Sequence, residues 1–192
     1  MRTIAVLLCW LICNHVTLSA ERYQLDATHS ELSFQVRHFA SGVTGKFADF
    51  SGTVIFNRAQ PERSSVEATI QVQSIDTGIK DRDHHLLSAE FFDAQRFPTI
   101  TFKSTAVSRT GEGTADVSGN LTMHGVTRPV VLRVELVSPE GNTAADSLRW
   151  KVTASLKRKN FGLSWNALIE ASQAVGDDIQ IRMKIASPAR SG

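Results

Sequence analysis

Residues 117–136 alternate apolar and polar side chains with a period of two, interrupted by one short break. A period of two places alternate residues on opposite faces of a β-strand, so the pattern predicts a β-hairpin with one apolar face. The small and apolar positions are Val117, Gly119, Leu121 and Met123 before the break at 125–129, and Val130, Leu132, Val134 and Leu136 after it. A face of this kind must be buried, which constrains how the rest of the chain folds.

The same alternation recurs along most of the chain. It is found at residues 23–25, 32–38, 47–57, 66–73, 100–103, 148–157 and 179–185. Proline and glycine turn signals separate these segments, and a slip of phase between Phe47 and Phe50 indicates a bend or bulge. Only residues 79–90 have a helical pattern, with Asp81 and Asp83 near its start, where the helix dipole favours acids. The chain therefore predicts eight or nine strands and one short helix.

About eight antiparallel strands with one apolar face each must close into a barrel or pack as a sandwich, which makes the fold class all-β. An outer-membrane barrel would turn those faces outward, but one tyrosine and three tryptophans make no evident aromatic girdle. The polar end of the chain and the helix between the strands also disfavour that alternative. A soluble barrel of this size can bury its apolar faces and still hold one slender ligand.

The first twenty residues have the pattern of an export signal. Arg2 provides a positive start, an apolar run follows at residues 4–12, and the small residues Thr17, Ser19 and Ala20 lie where a signal peptidase cuts. The segment is too short to span a membrane, and no later apolar run approaches the roughly 18 residues of a spanning helix. We expect cleavage after Ser19 or after Ala20, and the sequence leaves both sites open.

The predicted organisation is thus a cleaved signal at residues 1–20 and a single domain at residues 21–192. Cys9 and Cys13 both lie in the signal, so the mature chain has no cysteine and its fold cannot depend on disulfides. The 21 basic and 19 acidic residues nearly balance and form no basic tract. Nucleic acid is therefore not an expected partner.

Two clusters of polar residues raise the alternative of a hydrolase or a metal-dependent enzyme. Asp26, His29 and Ser30 are the residue types of a catalytic triad. Neighbouring residues of a strand point to opposite faces, so His29 cannot readily activate Ser30. We expect a turn with side chain to backbone hydrogen bonds at this position.

The predicted helix carries the second cluster. Asp81 lies one turn from His84 and His85, so two ligands could converge on a metal ion, but no third ligand follows at a telling spacing. We interpret these residues as a solvated helix face and predict neither a metal nor another cofactor. The enzyme hypothesis would use His29, His38, His84 or His85.

Ten phenylalanines against one tyrosine make the aromatic residues of this chain strongly apolar. They are either an ordinary packed core, since small barrels are often filled by side chains, or the lining of a cavity for a hydrocarbon ligand. His38 falls on the apolar phase of its strand, after Phe34 and Val36. It is either a buried, hydrogen-bonded histidine or a polar handle for a ligand head group.

Nine short motifs, in order along the chain, resemble the YceI-like family of polyisoprenoid-binding proteins. In the first half they are Asp26-x-x-His29-Ser30, Phe34-x-Val36-Arg37-His38, Gly45-x-Phe47, Ser74-Ile75-Asp76-Thr77, the run from His85-Leu86 to Phe91-Phe92-Asp93, and Phe97-Pro98-x-x-x-Phe102. In the second half they are Gly119-x-Leu121-Thr122-x-His124-Gly125-Val126-Thr127-x-Pro129-Val130, Arg158-x-x-Phe161-Gly162 and Val175-Gly176-Asp177. The resemblance covers almost the whole mature chain, with Asn160 standing where the family often has an acidic residue.

The resemblance implies a closed, antiparallel, eight-stranded, lipocalin-like barrel with one short helix, exported to the bacterial periplasm or secreted. It implies a non-enzymatic protein whose partner is an isoprenoid lipid, either a polyprenyl lipid or an isoprenoid quinone, held inside the barrel. It also favours a lined cavity over a packed core for the phenylalanines.

On this basis we predict twelve ligand-binding residues: Phe34, Val36, His38, Phe47, Phe50, Phe91, Phe92, Phe102, Leu121, Met123, Arg158 and Phe161. His38 and Arg158 are predicted to orient the head group, and the apolar residues to contact the chain of the lipid. The sequence leaves the formation of a homodimer open.

Overall fold

The computed structural model describes residues 20–38, 41–137, 148–165 and 175–187, without the side chains of His38 and Ser41. The strands are β1 (Glu21–Gln24), β2 (Glu31–His38), β3 (Ser41–Phe47), β4 (Phe50–Phe56), β5 (Ser65–Gln71), β6 (Ile75–Asp76), β7 (Thr99–Gly111), β8 (Thr114–Met123), β9 (Val126–Val137), β10 (Leu148–Lys157) and β11 (Val175–Ser187). The helix α1 spans Lys80–Leu87, and short 3₁₀ segments join other elements. The predicted export signal falls on residues 1–19, outside the described residues, and on Ala20.

All eleven strands belong to one antiparallel sheet with the order β1-β4-β5-β7-β8-β9-β10-β11-β2-β3-β6. The sheet curls into a half-barrel around an apolar interior, so the predicted all-β class with one short helix is confirmed. The two-sheet sandwich is wrong, because the described strands form one continuous sheet.

The eleven strands exceed the eight or nine predicted because two short strands lack a clear alternation. β3 is interrupted by Gly42 and Gly45, and β6 has only two residues. The phase slip between Phe47 and Phe50 is confirmed as the boundary between β3 and β4, with both rings buried. Pairing of β3 with β2 and β6 defines this strand, which its own residue pattern does not.

β8 and β9 form the hairpin predicted at residues 117–136, but its turn is shorter than the predicted break. His124 and Gly125 connect the strands with φ of 51° and 72°, as expected for a two-residue type I′ turn. Pro129 lies within β9, opposite Asn120. The predicted apolar positions of β8 are buried, and those of β9 are half-buried between exposed neighbours.

β7 is 13 residues long, whereas the residue pattern predicted a strand only at 100–103. A bulge between Ser104 and Ala106, in the pairing with β8, shifts the phase of the strand. Phe102 is buried before the bulge and Val107 after it, so the buried positions change from even to odd residue numbers. Because the alternation is interrupted there, the sequence pattern ended the strand too early.

The helix predicted at residues 79–90 is confirmed as α1, which is shorter because the extended backbone of Ser88 ends it. Asp81 and Asp83 lie in its first turn, as predicted. The chain then turns back, and the N–H group of Phe92 donates to the carbonyl of Leu86 at 3.0 Å. This turn places the phenylalanines that follow the helix in the buried core.

Candidate ligand-binding site

The curled sheet and α1 enclose a cavity of about 710 Å³. Each strand from β2 to β11 contributes apolar side chains to its wall, and for most of these strands the inward face is the one predicted from the alternation of residues. The volume lies within the range of sites that hold small molecules or cofactors. The interior is therefore a lined cavity, and the alternative of a barrel filled with side chains is wrong.

The cavity is long as well as apolar. Ala115, Val117, Leu121 and Met123 all line it and lie along the single strand β8. Eight residue steps of an antiparallel strand span about 27 Å. A ligand that fills the cavity would therefore be elongated and largely without hydrogen-bonding groups along its length.

A continuous series of aromatic rings runs along part of the wall, from β2 to the segment after β10. The ring centroids are 5.6 Å apart for Phe34 and Phe47, 6.3 Å for Phe47 and Phe92, 5.3 Å for Phe92 and Phe91, 4.4 Å for Phe91 and Trp165, and 4.9 Å for Trp165 and His85. These separations are typical of stabilising aromatic contacts. The rings thus hold each other in place and present a rigid apolar surface to the cavity.

Two glycines make room for rings in the wall. A Cβ atom on Gly45 would lie 2.4 Å from Cζ of Phe34, which is opposite it on β2. A Cβ atom on Gly119 would lie 2.5 Å from Cζ of Phe102 on β7. Both positions therefore require glycine for the packing of the neighbouring phenylalanine. The alternation of residues showed that Gly119 faces inward but not what it contacts.

Three residues at and just before α1 form a bonded cluster, which we call the helix-side polar group: Thr77, Arg82 and Asp83. Arg82 donates from Nε to the Thr77 hydroxyl at 2.7 Å and from Nη2 to the Thr77 carbonyl at 2.8 Å. Asp83 Oδ1 accepts from the Thr77 hydroxyl at 2.5 Å and from the Thr77 N–H group at 2.9 Å. Thr77 and Arg82 also line the cavity, so this group places a half-buried cation beside an apolar space.

Arg158 begins a 3₁₀ segment directly after β10 and is only 1% exposed. Its guanidinium donates to the carbonyl oxygens of Leu163 at 2.8 Å, Gly176 at 3.0 Å and Val175 at 3.3 Å. Hydrogen bonds from a charged donor are stronger than neutral ones, and they compensate for the burial of the guanidinium. Arg158 lines the cavity and also ties the segment after β10 to the start of β11.

Ten of the twelve predicted ligand-binding residues lie together on the cavity wall: Phe34, Val36, Phe47, Phe50, Phe91, Phe92, Phe102, Leu121, Met123 and Arg158. His38 pairs through its backbone with Ser41 and Val175, but its side chain is outside the described part of the structure. Phe161 is buried at 2% exposure and lines a second, smaller cleft instead of the main cavity. It lies in a 3₁₀ segment, where the period of two does not apply.

The sequence analysis missed several wall residues. Trp150 and Leu25 belong to alternating segments, so the same signal could have identified them. Trp165 follows a turn and has no periodic neighbours, and only its contacts with Phe91 and His85 reveal its place. Arg82 lies on the predicted helix, where a period of 3.6 gave no indication that it would face the cavity.

The residues of the hydrolase hypothesis bond to different partners. His29 Nδ1 lies 2.6 Å from Oδ2 of Asp26, and the His29 side chain is 76% exposed. Ser30 instead accepts a hydrogen bond from the N–H group of Ala186 at 2.8 Å. Hydrogen bonds from Thr28, then from His29, lower the pKa of Asp26 from 3.8 to about 2. The expected turn with side chain to backbone bonding is confirmed, since Asp26 also accepts from the Thr28 N–H group.

The residues of the metal hypothesis do not complete a metal site, although Asp81 and His85 both line the cavity. His85 Nε2 lies 2.8 Å from Oε2 of Glu90, and its ring packs edge-on against Trp165. His84 is exposed on α1. Within the described ranges there is no group of three or more histidine, cysteine, aspartate or glutamate side chains that could hold a metal ion. Among the same residues no helix is long and apolar enough to cross a membrane.

The sequence is similar to proteins from several bacteria. A UPF0312 protein from Ectopseudomonas mendocina is 39% identical over 150 residues, which cover 76% of this chain and 78% of the relative. Protein YceI from Salmonella newport is 37% identical over 163 residues, which cover 81% of this chain and 83% of that protein.

Solved structures share the fold. BcnA from Burkholderia cenocepacia superposes with a TM-score of 0.78 at 25% identity, covering 85% of this chain and 99% of that one. A polyisoprenoid binding domain from Saccharophagus degradans, implicated in plant cell wall breakdown, superposes with a TM-score of 0.65 at 22% identity, covering 88% and 98%. The family model of the YceI-like domain matches residues 23–187, nearly all of the region predicted to be the mature domain. The chain therefore belongs to the YceI-like family.

Proposed function

We propose that this protein is a non-enzymatic carrier that holds one long-chain isoprenoid lipid, either a polyprenyl lipid or an isoprenoid quinone. The observation that carries the proposal is the long cavity of about 710 Å³, whose wall is built almost entirely of aliphatic and aromatic side chains. A space of this shape fits a slender hydrocarbon chain. Among the described residues, most polar side chains on its wall belong to α1 or lie just before it, namely Thr77, Asp81, Arg82 and His85, and the rest of the wall is largely apolar.

Burial of the chain would supply most of the affinity. Each methylene group removed from water contributes about 0.8 kcal/mol, so a chain of several isoprene units can be held without any hydrogen bond along its length. The rigid rings of Phe34, Phe47 and Phe92 would pack against the methyl branches of the chain. Because a rigid wall loses little conformational freedom on binding, it also limits the entropic cost.

A few polar groups would hold the head group. Arg82 and Thr77 of the helix-side polar group lie on the cavity wall, and Arg158 contributes a second cation. His38 remains a predicted contact of the head group. The polyisoprenoid binding domain from Saccharophagus degradans has the same fold, which supports this class of ligand for the present chain.

We propose further that the half-barrel closes as an eight-stranded, lipocalin-like barrel. Three pairs of strands that are consecutive in the chain are separated only by bends, and each pair can be counted as one bent strand. The pairs are β1 with β2, β3 with β4, and β5 with β6, so the eleven strands become eight. Each bent strand pairs with the next along both of its parts. Across the bends, the N–H group of Ala48 donates to the Ser74 carbonyl at 3.1 Å, and that of Gln71 to the Asp49 carbonyl at 2.9 Å. The pairing of β2 with β11 completes this circuit.

The proposed carrier acts outside the cytoplasm, in the periplasm or as a secreted protein. The support is the export signal in residues 1–20, followed by one domain at residues 21–192 that has no cysteine to oxidise. Light scattering of the purified protein would measure whether it forms a homodimer, which the sequence left open.

The central experiment is extraction of the protein purified from its native host. Organic extraction and mass spectrometry are expected to return about one isoprenoid lipid per chain, and titration of the delipidated protein with prenyl quinones is expected to show saturable binding. Absence of any stoichiometric lipid, together with failure of prenyl quinones to bind, would contradict the proposal.

A pair of variants on β10 tests whether the ligand occupies the cavity. Ala154 lines the cavity, whereas its neighbour Thr153 points to the exposed face. Ala154→Phe adds a ring inside the cavity and is expected to weaken binding of the lipid at least tenfold by excluded space, whereas Thr153→Phe should leave affinity unchanged. Circular dichroism and thermal unfolding of both variants establish that they fold. Equal affinity of the two folded variants would place the ligand elsewhere.

A further inference from the structure

The pairing between β9 and β10 stops halfway along both strands. Among the described residues, their register runs from Val137 opposite Arg149 to Arg133 opposite Thr153. β9 nevertheless continues through residues 126–132, where it pairs with β8, and β10 continues through residues 154–157, where it pairs with β11. Two neighbouring strands therefore diverge over the half that lies beside the 3₁₀ segment at Arg158–Phe161.

A cleft of about 370 Å³ lies at this divergence. Its lining comes from Thr105 of β7, from Ser118 and Gly119 of β8, from residues 128–131 of β9, from residues 155–157 of β10, and from Asn160 and Phe161. The lining mixes hydroxyl, cationic and apolar side chains, unlike the wall of the main cavity. Val131, which lies in the middle of β9, is 49% exposed.

Two side chains separate this cleft from the main cavity. Val130 on β9 and Leu156 on β10 line both spaces, and both are only partly buried. If the ladder continued in register, these two residues would lie directly opposite each other. Where the ladder has ended, these two side chains, and no paired backbone of β9 and β10, lie between the cavity and the cleft.

A hydrogen bond from a side chain links the diverging half of β9 to the segment after β10. Arg128 Nε on β9 donates to the carbonyl of Asn160 at 3.2 Å, which links β9 to the segment that follows β10. Pro129 has no N–H group, and proline within sheets is confined to positions where no ladder bond is needed. Widening the cleft would therefore break no backbone bond between β9 and β10 over residues 126–132.

We propose that this cleft is a lateral opening of the ligand cavity, through which the isoprenoid chain enters and leaves sideways between β9 and β10. The inference depends on the proposed function, because it describes the route to the same cavity. End-on passage would require the chain to slide along the full length of the cavity, about 27 Å, whereas sideways passage displaces mainly Val130 and Leu156. Rotation of exposed or partly buried side chains is fast compared with the opening of a paired sheet.

Crosslinking across the cleft tests this route. Val131→Cys with Ser155→Cys, joined by a short bismaleimide, would restrict the cleft, in a background in which Cys9 and Cys13 are replaced by serine. The matched control joins Glu135→Cys to Lys151→Cys, which are opposite each other in the paired half of the same two strands. The readout is the rate at which a bound prenyl quinone transfers to phosphatidylcholine vesicles.

The crosslink across the cleft is expected to slow the transfer of quinone about tenfold, and the control crosslink less than twofold. Both crosslinks are expected to leave the Kd unchanged, because the route of entry affects the rates of binding and release but not the bound and free end states.

A second variant tests the route in the opposite direction. Arg128→Gln removes the hydrogen bond to Asn160 and should accelerate transfer, whereas Arg133→Gln, in the paired half of β9, should not. Equal transfer rates with both crosslinks would overturn the lateral route while leaving the carrier function intact. Failure of the uncrosslinked protein to bind prenyl quinone would overturn the carrier function itself.

Discussion

Two arginines line the same cavity but differ in their burial and in their hydrogen-bond partners. Arg158 is 1% exposed and gives its guanidinium to three backbone carbonyls that belong to the start of β11 and the segment after β10. Arg82 is half-buried on α1 and bonds to the single residue Thr77. Both are cations beside an apolar space, yet the first joins distant parts of the chain and the second stays within one short segment.

The difference in burial and hydrogen bonding predicts different roles for the two arginines. Loss of a buried guanidinium leaves carbonyl groups unsatisfied, so Arg158 should matter first for stability. Arg82 lies on the cavity wall within a local cluster, so its replacement should affect mainly the affinity for a ligand. Three measurements, in order of expected size, test or extend this distinction.

Replacement of Arg158 is expected to have the largest effect. Arg158→Met keeps an unbranched apolar side chain but removes the guanidinium and its hydrogen bonds to Leu163, Gly176 and Val175, and should lower the free energy of unfolding by about 3 kcal/mol or more. Arg149→Met, at an exposed position of β10, serves as the control and should change it by less than about 0.5 kcal/mol. Urea unfolding measures both, and equal stability of the two variants would remove the structural role assigned to Arg158.

Replacement of Arg82 should affect binding more than stability. Arg82→Gln loses two hydrogen bonds to Thr77, which lowers stability by about 1 kcal/mol or less, but should weaken a polyprenyl phosphate about tenfold through loss of the cation. Binding of squalene, an isoprenoid without a polar head group, should not change. Arg96→Gln, at an exposed position, is the control. If squalene and polyprenyl phosphate weakened equally, Arg82 would act on the cavity as a whole and not on the head group.

The smallest effect is expected near the surface, where Asp26 extends the comparison to a partly exposed carboxylate. The pKa of Asp26 is lowered from 3.8 to about 2, chiefly by hydrogen bonds from Thr28 and His29. Because the folded pKa lies below the unfolded value, the carboxylate stabilises the fold above about pH 4, and this contribution is lost as the pH falls through about 2.

The stability difference between the parent protein and Asp26→Asn should therefore be largest above about pH 4 and shrink towards pH 2. Urea midpoints collected across that range measure it. A difference that stayed constant with pH would show that the hydrogen bonds to Thr28 and His29 do not favour the charged form.

The strands and their buried faces could be predicted to a large extent from residue alternation. The hairpin of β8 and β9, the inward side of β10 and the helix α1 agree with the expected segments. The alternation failed where local geometry interrupts it, at the bulge after Phe102 and at the glycines of β3. Those interruptions depend on partner strands, which a period counted along one segment cannot register.

The residues of the candidate site could likewise be predicted only where residue alternation is regular. Its apolar wall follows from the faces of the strands, and ten of the twelve expected residues line the cavity. Trp165 and Arg82 also line the cavity, but no periodic pattern predicted either of them. Trp165 follows a turn and Arg82 lies on a helix, and the packing of those segments against the sheet brings their side chains to the wall. Phe161 lines the other cleft because the 3₁₀ segment after β10 breaks the alternation that leads up to it.

By itself, the sequence determined that this chain forms antiparallel strands with one apolar face each, because a period of two allows few other arrangements of so many segments. Whether those strands would form one curled sheet or two packed sheets, and whether the apolar faces would be filled or would enclose a space, was decided only in the tertiary structure. Cavity volume depends on how far the sheet curls and on which rings pack against each other. The diverging half of β9 and β10 was also decided there, because pairing between strands is a property of two segments and not of either one.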